Sequence, residues 1–167
     1  MKYVSILLVV ALLSSIVGVG YLYITSRVVV EATGVSIIEA TAEEALFEQI
    51  RQQINQGHAL GTAFANEIRG EASDYVFLTA RLTLRNDCYI DAEMVELQIV
   101  PQSTDIMQIG AVEMSGLPAR TADTFEATIL STSHSSAVRE VLITYYIWGR
   151  PFTQKVTVRS STYQQAT

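Results

Sequence analysis

Two histidines, one cysteine and one knot of acids are the side chains of this 167-residue sequence with the most chemistry to offer. His134 lies in Ser131-Thr132-Ser133-His134-Ser135-Ser136, which sets hydroxyl nucleophiles beside an imidazole in the chain. Acyl transfer needs more than adjacency, because the base must reach the nucleophile and be oriented by a third group. The run reads instead as a flexible link between strands. His58, the other histidine, has no second histidine or acid at a zinc-type spacing, and neither does His134. Cys88, the only cysteine, excludes an internal disulfide and lies in a polar turn, Asn86-Asp87-Cys88-Tyr89, without a neighbouring base to generate a thiolate. Asp87, Asp91 and Glu93 offer the hard oxygens that calcium takes, but without EF-hand spacing or its glycine. They read as a solvated acidic turn. The sequence also contains no Walker motif and no dinucleotide fingerprint. It therefore predicts no catalytic residue, no cofactor, no metal site and no enzymatic activity.

Binding is the better prospect. In Thr144-Tyr145-Tyr146-Ile147-Trp148-Gly149-Arg150, large apolar or aromatic residues occupy both phases of a strand pattern. Either one face packs in a core and the other lies under a helix, or Tyr146, Trp148 and Arg150 form an exposed partner face. Aromatic rings beside a guanidinium are the composition favoured at binding hot spots. The long loop over residues 58–74 is a second candidate, since loops of that length often carry function.

Residues 4–24 fix where these side chains work. They form a run of 21 without a charge, and at about 1.5 Å per residue a helix of that length matches a bilayer core of about 30 Å. A cleaved signal wants an apolar core of about 7–15 residues and a small-x-small site just behind it. Here the core is longer, and the nearest such triplet, Val30-Glu31-Ala32, falls beyond Arg27. The expectation is an uncleaved single-pass signal anchor over residues 1–26. Lys2 precedes the run and Arg27 with Glu31 follows it, which favours the N-terminus inside and the bulk of the chain extracytoplasmic.

All 17 acidic residues and 10 of the 11 basic ones follow the anchor, for a net charge of −7. Such a surface disfavours nucleic acid and anionic lipid as partners of the domain as a whole. The remaining 141 residues are an ordinary size for one domain. There is no Asn-x-Ser/Thr sequon.

Residues 28–38 suit a first strand, bulged at Gly34. Thr41 with Glu44 forms a capping-box pattern before a helix over residues 42–56, whose Leu46, Ile50 and Ile54 share one face. The loop over 58–74, with at most one helical turn, completes a proximal region, residues 27–74. From Tyr75 the period becomes two: Val76, Leu78, Ala80, Leu82 and Leu84 alternate with Phe77, Thr79, Arg81, Thr83 and Arg85. Further strands are predicted over 95–99, 106–114, 125–129, 141–148 and 152–158. Seven strands without intervening helices predict a mainly β fold, a seven-stranded antiparallel β-sandwich over 75–160 with the first strand added. Residues 161–167 form a polar tail.

This spacing resembles an immunoglobulin or fibronectin type III sandwich. It is also loosely similar to the late-embryogenesis-abundant type-2 domains found behind a membrane anchor. There a strand runs into an Asn-Pro turn, and Leu82-Thr83-Leu84-Arg85-Asn86-Asp87 matches it up to Asp87, which replaces the proline; Leu117-Pro118-Ala119 before Phe125-Glu126-Ala127 fits the mid-domain link. The resemblance implies the fold and carries over no functional residue. The expected function is a membrane-anchored extracytoplasmic interaction module with a protein partner and no nucleic acid. The alternatives are a structural subunit of a membrane-associated homo-oligomer and a cleaved, secreted binding domain.

Overall fold

A computed structural model describes residues 2–25, 27–57, 61–109 and 115–159. The chain opens with α1 (Lys2–Thr25), followed by β1 (Val28–Glu39), a 3-10 turn (Ala40–Glu43) and α2 (Glu44–Asn55). Then come β2 (Gly61–Ala63), a second 3-10 turn (Ala72–Asp74), β3 (Tyr75–Asn86), β4 (Ala92–Ile99) and β5 (Asp105–Ile109). The last elements are β6 (Ser115–Leu117), β7 (Ala122–Thr132), β8 (Arg139–Ile147) and β9 (Arg150–Val158). Residues Tyr3–Tyr21 of α1 are long and apolar enough to cross a membrane and are not buried against the rest of the chain.

The strands form two antiparallel sheets, ordered β1-β3-β7-β5-β2 and β6-β4-β8-β9. Alternation explains why they face each other. Leu78, Ala80, Leu82 and Leu84 of β3 and Ala127 and Ile129 of β7 point inward, against Val95, Leu97 and Ile99 of β4 and Val141, Ile143 and Tyr145 of β8. These side chains form one buried core, whose apolar area removed from water holds the two layers together.

A second, smaller core lies on the outside of the five-stranded sheet. There α2 sets Phe47, Ile50 and Ile54 on Phe77 and Tyr75 of β3, Met107 of β5 and Leu130 of β7. Where that cover ends, the outer residues of β3 turn polar. Thr79 meets Thr128, Arg81 meets Glu126 and Thr83 meets Thr124 in a cross-strand ladder open to water.

Four expectations need correction. The described strands number nine, because β2 and β6 add edge strands of three residues each, too short to show a period of two. The bulge in β1 falls between Val30 and Ala32, while Gly34 pairs in register with Arg81. No capping box starts α2, since Thr41 lies within the 3-10 turn and its hydroxyl bonds Glu39 instead. Finally, the buried stripe of α2 is Phe47, Ile50 and Ile54, with Leu46 36% exposed beside it.

Candidate functional site

The predicted partner face divides on inspection. Tyr146 is the last outward-facing residue of β8, opposite Glu93 of β4 and Pro151 of β9, and is half-buried. Leu142, two rows away on that face, is also half-buried, and between them Thr144 pairs with Thr153 of β9. Among the described residues no helix lies on this sheet, because α2 packs on the other one. The reading in which the α2 segment covers Tyr146 and Trp148 is thus overturned: α2 follows β1 after one 3-10 turn and packs on the sheet to which β1 belongs.

Trp148 does not continue the strand. It forms the β8–β9 turn with Gly149, both residues having positive φ, 54° and 69°. Two left-handed residues make the tight hairpin whose twist matches the flanking strands. Trp148 is 51% exposed at that tip. Arg150 opens β9 with its guanidinium 5.6 Å from the centre of the Phe152 ring.

The catalytic candidates separate. His134 is exposed in the turn after β7, whereas Ser131 is buried and donates to the Thr104 carbonyl at 3.0 Å. Ser131 belongs to a polar cluster that sequence reading missed. Arg139, at the start of β8, sends Nη2 to Asp105 Oδ1 at 2.9 Å and to Ser131 Oγ at 3.5 Å. Burial lowers the pKa of the guanidinium, opposed by the neighbouring Asp105 carboxylate. The Nε and Nη1 of Arg139 find no hydrogen-bond partner among the described residues. The cluster bridges the two sheets and is closed to solvent, which suits cohesion rather than chemistry. His58 lies outside the described residues.

Cys88 is buried in the main core, its thiol donating to the Arg27 carbonyl at 3.5 Å. The acidic residues nearby have other engagements. Asp87 pairs with Arg85 at 2.9 Å, and Asp91 Oδ1 accepts the Ala119 N–H at 2.7 Å. Among the described residues no three histidine, cysteine or acidic side chains gather as a metal site.

The loop after α2 is anchored. Phe64 and Ala65 donate backbone N–H groups to the Ile106 carbonyl, Ile68 donates to Asn55 Oδ1 and the Tyr75 hydroxyl donates to the Arg69 carbonyl. An open recess beside it is lined by Ile54, Asn55, Gln56, Gly57, Ala63, Ala65 and Asn66, none of them titratable.

The fold is thus a two-sheet antiparallel β-sandwich that follows an apolar helix of membrane-crossing length. No protein-family model matches the chain, and no curated protein matches it. Among solved structures, the cupredoxin domain of amoB from Nitrosocaldus yellowstonii is similar over 84% of this chain and 92% of that chain, at 13% identity and a TM-score of 0.32. At that score the likeness does not define a family.

Proposed function

We propose that the protein is a non-catalytic, membrane-anchored, extracytoplasmic β-sandwich that binds another membrane or envelope protein through the open face of its four-stranded sheet. One observation carries this reading. The apolar part of the outer face of one sheet is covered by α2 and the rest of it is polar, whereas the outer face of the other keeps Leu142 and Tyr146 half-exposed with no described helix packed on them. An aromatic and an aliphatic side chain ringed by Thr144, Glu140 and Lys155 fit the pattern of an apolar centre with a polar rim. Trp148 stands in the hairpin turn beyond the end of that face, whereas Arg150, paired with buried Ile147 and lying over Phe152, is on the core side of β9.

The sandwich is immunoglobulin-like in this reading. Its five-stranded sheet begins with the successive partners β1, β3, β7 and β5, and its other sheet contains β4, β8 and β9. That is the order of immunoglobulin constant-type sheets, strands A, B, E and D against C, F and G. For the anchor, α1 at about 36 Å exceeds a bilayer core of about 30 Å, and Tyr3 and Tyr21 stand at the two ends of its apolar span.

Site-directed photo-crosslinking in native membranes tests the face. A crosslinker at Tyr146 is expected to give a discrete larger adduct, and one at Thr83, on the water-exposed outer face of the other sheet, none. Equal labelling from both positions, or none from Tyr146, overturns the proposal. An adduct of twice the chain mass would mean the homo-oligomeric alternative.

A further inference from the structure

The end of the sandwich joined to α1 carries side chains that the partner face does not use. Backbone register identifies that end. Val28 pairs with Asn86, Arg85 with Ala122, Ala92 with Leu117, and Glu93 with Tyr146. The turns over 87–91, 118–121 and 148–149 therefore project beyond the same edge from which the chain leaves for α1. Tyr89 is 70% exposed there, with the Arg120 guanidinium 4.0 Å from its ring centre. Trp148 is 51% exposed, and Arg27 is exposed too.

The tether leaves this end no room to stand away from the bilayer. Val28 is held on both sides, its N–H donating to the Tyr145 hydroxyl at 3.3 Å and its carbonyl accepting from Gln154 Nε2 at 3.1 Å. Arg27 is fixed as well, its carbonyl accepting the Asp87 N–H at 3.3 Å. Three residue steps separate Thr25 from Val28, so their Cα atoms lie within about 11 Å of each other whatever angle α1 makes. The headgroup layer on each side of a bilayer is itself about 5–8 Å deep.

Turn chemistry alone does not account for the residues found here. Trp148 and Arg120 both sit at positive φ, 54° and 60°, where asparagine or glycine is the ordinary choice. An aromatic and a guanidinium held in such conformations point to a demand from outside the turn. We propose that this end rests in the headgroup layer of the membrane crossed by α1, with Trp148 and Tyr89 among the headgroups and Arg27 and Arg120 on lipid phosphates. Amphipathic rings favour that depth, and guanidinium groups match phosphate oxygens. Of the acids at this end, Asp87 and Glu31 are already paired with Arg85 and Asp91 accepts the Ala119 N–H, while Glu93 and Asp123 are exposed. The inference rests on α1 being a membrane anchor, and it leaves Tyr146 and Leu142 as the protein-binding face.

Trp148 is the only tryptophan, so the unaltered chain carries its own probe. The full chain is reconstituted in phosphatidylcholine vesicles, with and without lipids brominated near the headgroup end of the acyl chain. Brominated lipid should cut Trp148 emission roughly twofold or more, as for other interfacial tryptophans, while aqueous acrylamide quenches it weakly. A second chain carrying Trp148→Phe and His134→Trp moves the probe to the opposite end, where lipid quenching should vanish. If the chain floats with the vesicles but Trp148 is quenched by lipid no more than the probe at position 134, the inference falls. Shielding from acrylamide without lipid quenching would assign the surface to a second copy and also overturn it. Failure to float at all would instead sink the anchor, and this inference with it.

Discussion

Arg139 and Asp105 form an ion pair at 2.9 Å in which neither side chain has any exposed surface, and the pair joins β8 of one sheet to β5 of the other. Asp105 also accepts the Gln102 N–H at 2.6 Å, so it caps its own turn while holding the guanidinium. Two nitrogens of Arg139 have no partner among the described residues, so the desolvation of its charge is only partly offset by them. Arg139→Met alone leaves a buried carboxylate without its cation and should cost about 3–5 kcal/mol. Arg139→Met with Asp105→Asn keeps the turn acceptor and removes both charges, so it should recover most of that loss. Urea melts of detergent-solubilised chains decide it. A double variant as unstable as the single one would mean that the pair is a net source of stability.

Tyr145 ties the start of the sandwich to its centre. Its hydroxyl accepts the Val28 N–H at 3.3 Å, and its ring stacks on Phe152 with centroids 5.5 Å apart. Tyr145→Phe leaves that buried N–H without an acceptor and should cost about 1–3 kcal/mol near neutral pH. Burial pushes the phenol pKa above its ordinary value of about 10, with the Val28 hydrogen bond opposing and Cys88 adding to the rise. The folded state thus holds the proton more tightly than the unfolded state. Its contribution is complete below about pH 10 and is lost as pH climbs toward the folded pKa. Melting temperatures from pH 8 to 11 should therefore fall more steeply for the wild type than for Tyr145→Phe. Parallel slopes would refute the linkage.

The α2 stripe gives a sharper contrast between neighbours. Phe47 is fully buried, 5.2 Å from the Tyr75 ring centre, while Leu46 is 36% exposed. Phe47→Ala should cost about 3–5 kcal/mol, and Leu46→Ala under about 1. Thermal unfolding of the two variants measures the difference. A larger loss at Leu46 would restore the stripe read from spacing alone.

That misreading shows where sequence stops being legible. Leu46, Ile50 and Ile54 share a helical face at spacings of four, but Phe47, Ile50 and Ile54 share one equally well, and only the position of Phe77 and Tyr75 beneath the helix chooses between them. In β3 the choice was visible, because leucines at 78, 82 and 84 alternate with threonine and arginine over most of its length. Alternation of large residues continues through a two-residue turn and so places Trp148 in a strand, with Gly149 the one sign of the break. That Trp148 stands at the end of the sandwich nearest α1 was not readable, since it depends on which strand ends share an edge of the sheet. Nor was the Ser131–Arg139–Asp105 cluster, whose acid and base lie 34 residues apart and meet only when the two sheets close.

Asn86 ends β3 and does the work of a linchpin for the end of the sandwich nearest α1. Its Nδ2 donates to the carbonyls of Ile90 and Leu117, both at 2.9 Å, and its Oδ1 accepts the Cys88 N–H at 2.9 Å. The side chain therefore fixes the turn over 87–91 to β6, with no exposed surface of its own. Asn86→Ala should cost about 2–4 kcal/mol, because buried backbone groups lose their partners. Asn86→Asp is the more revealing variant. A carboxylate would still accept from Cys88 but would face two carbonyl oxygens, an arrangement tolerable only when the acid is protonated and can donate to one of them. The pKa of the new acid should thus rise in the folded state above the ordinary value of about 3.9. Its stability would be greatest below about pH 4 and decline as pH rises toward neutrality. Melting curves of Asn86→Asp against wild type between pH 4 and 7 should diverge with increasing pH, and a constant offset across that range would show that the Nδ2 hydrogen bonds do not set the structure of this turn.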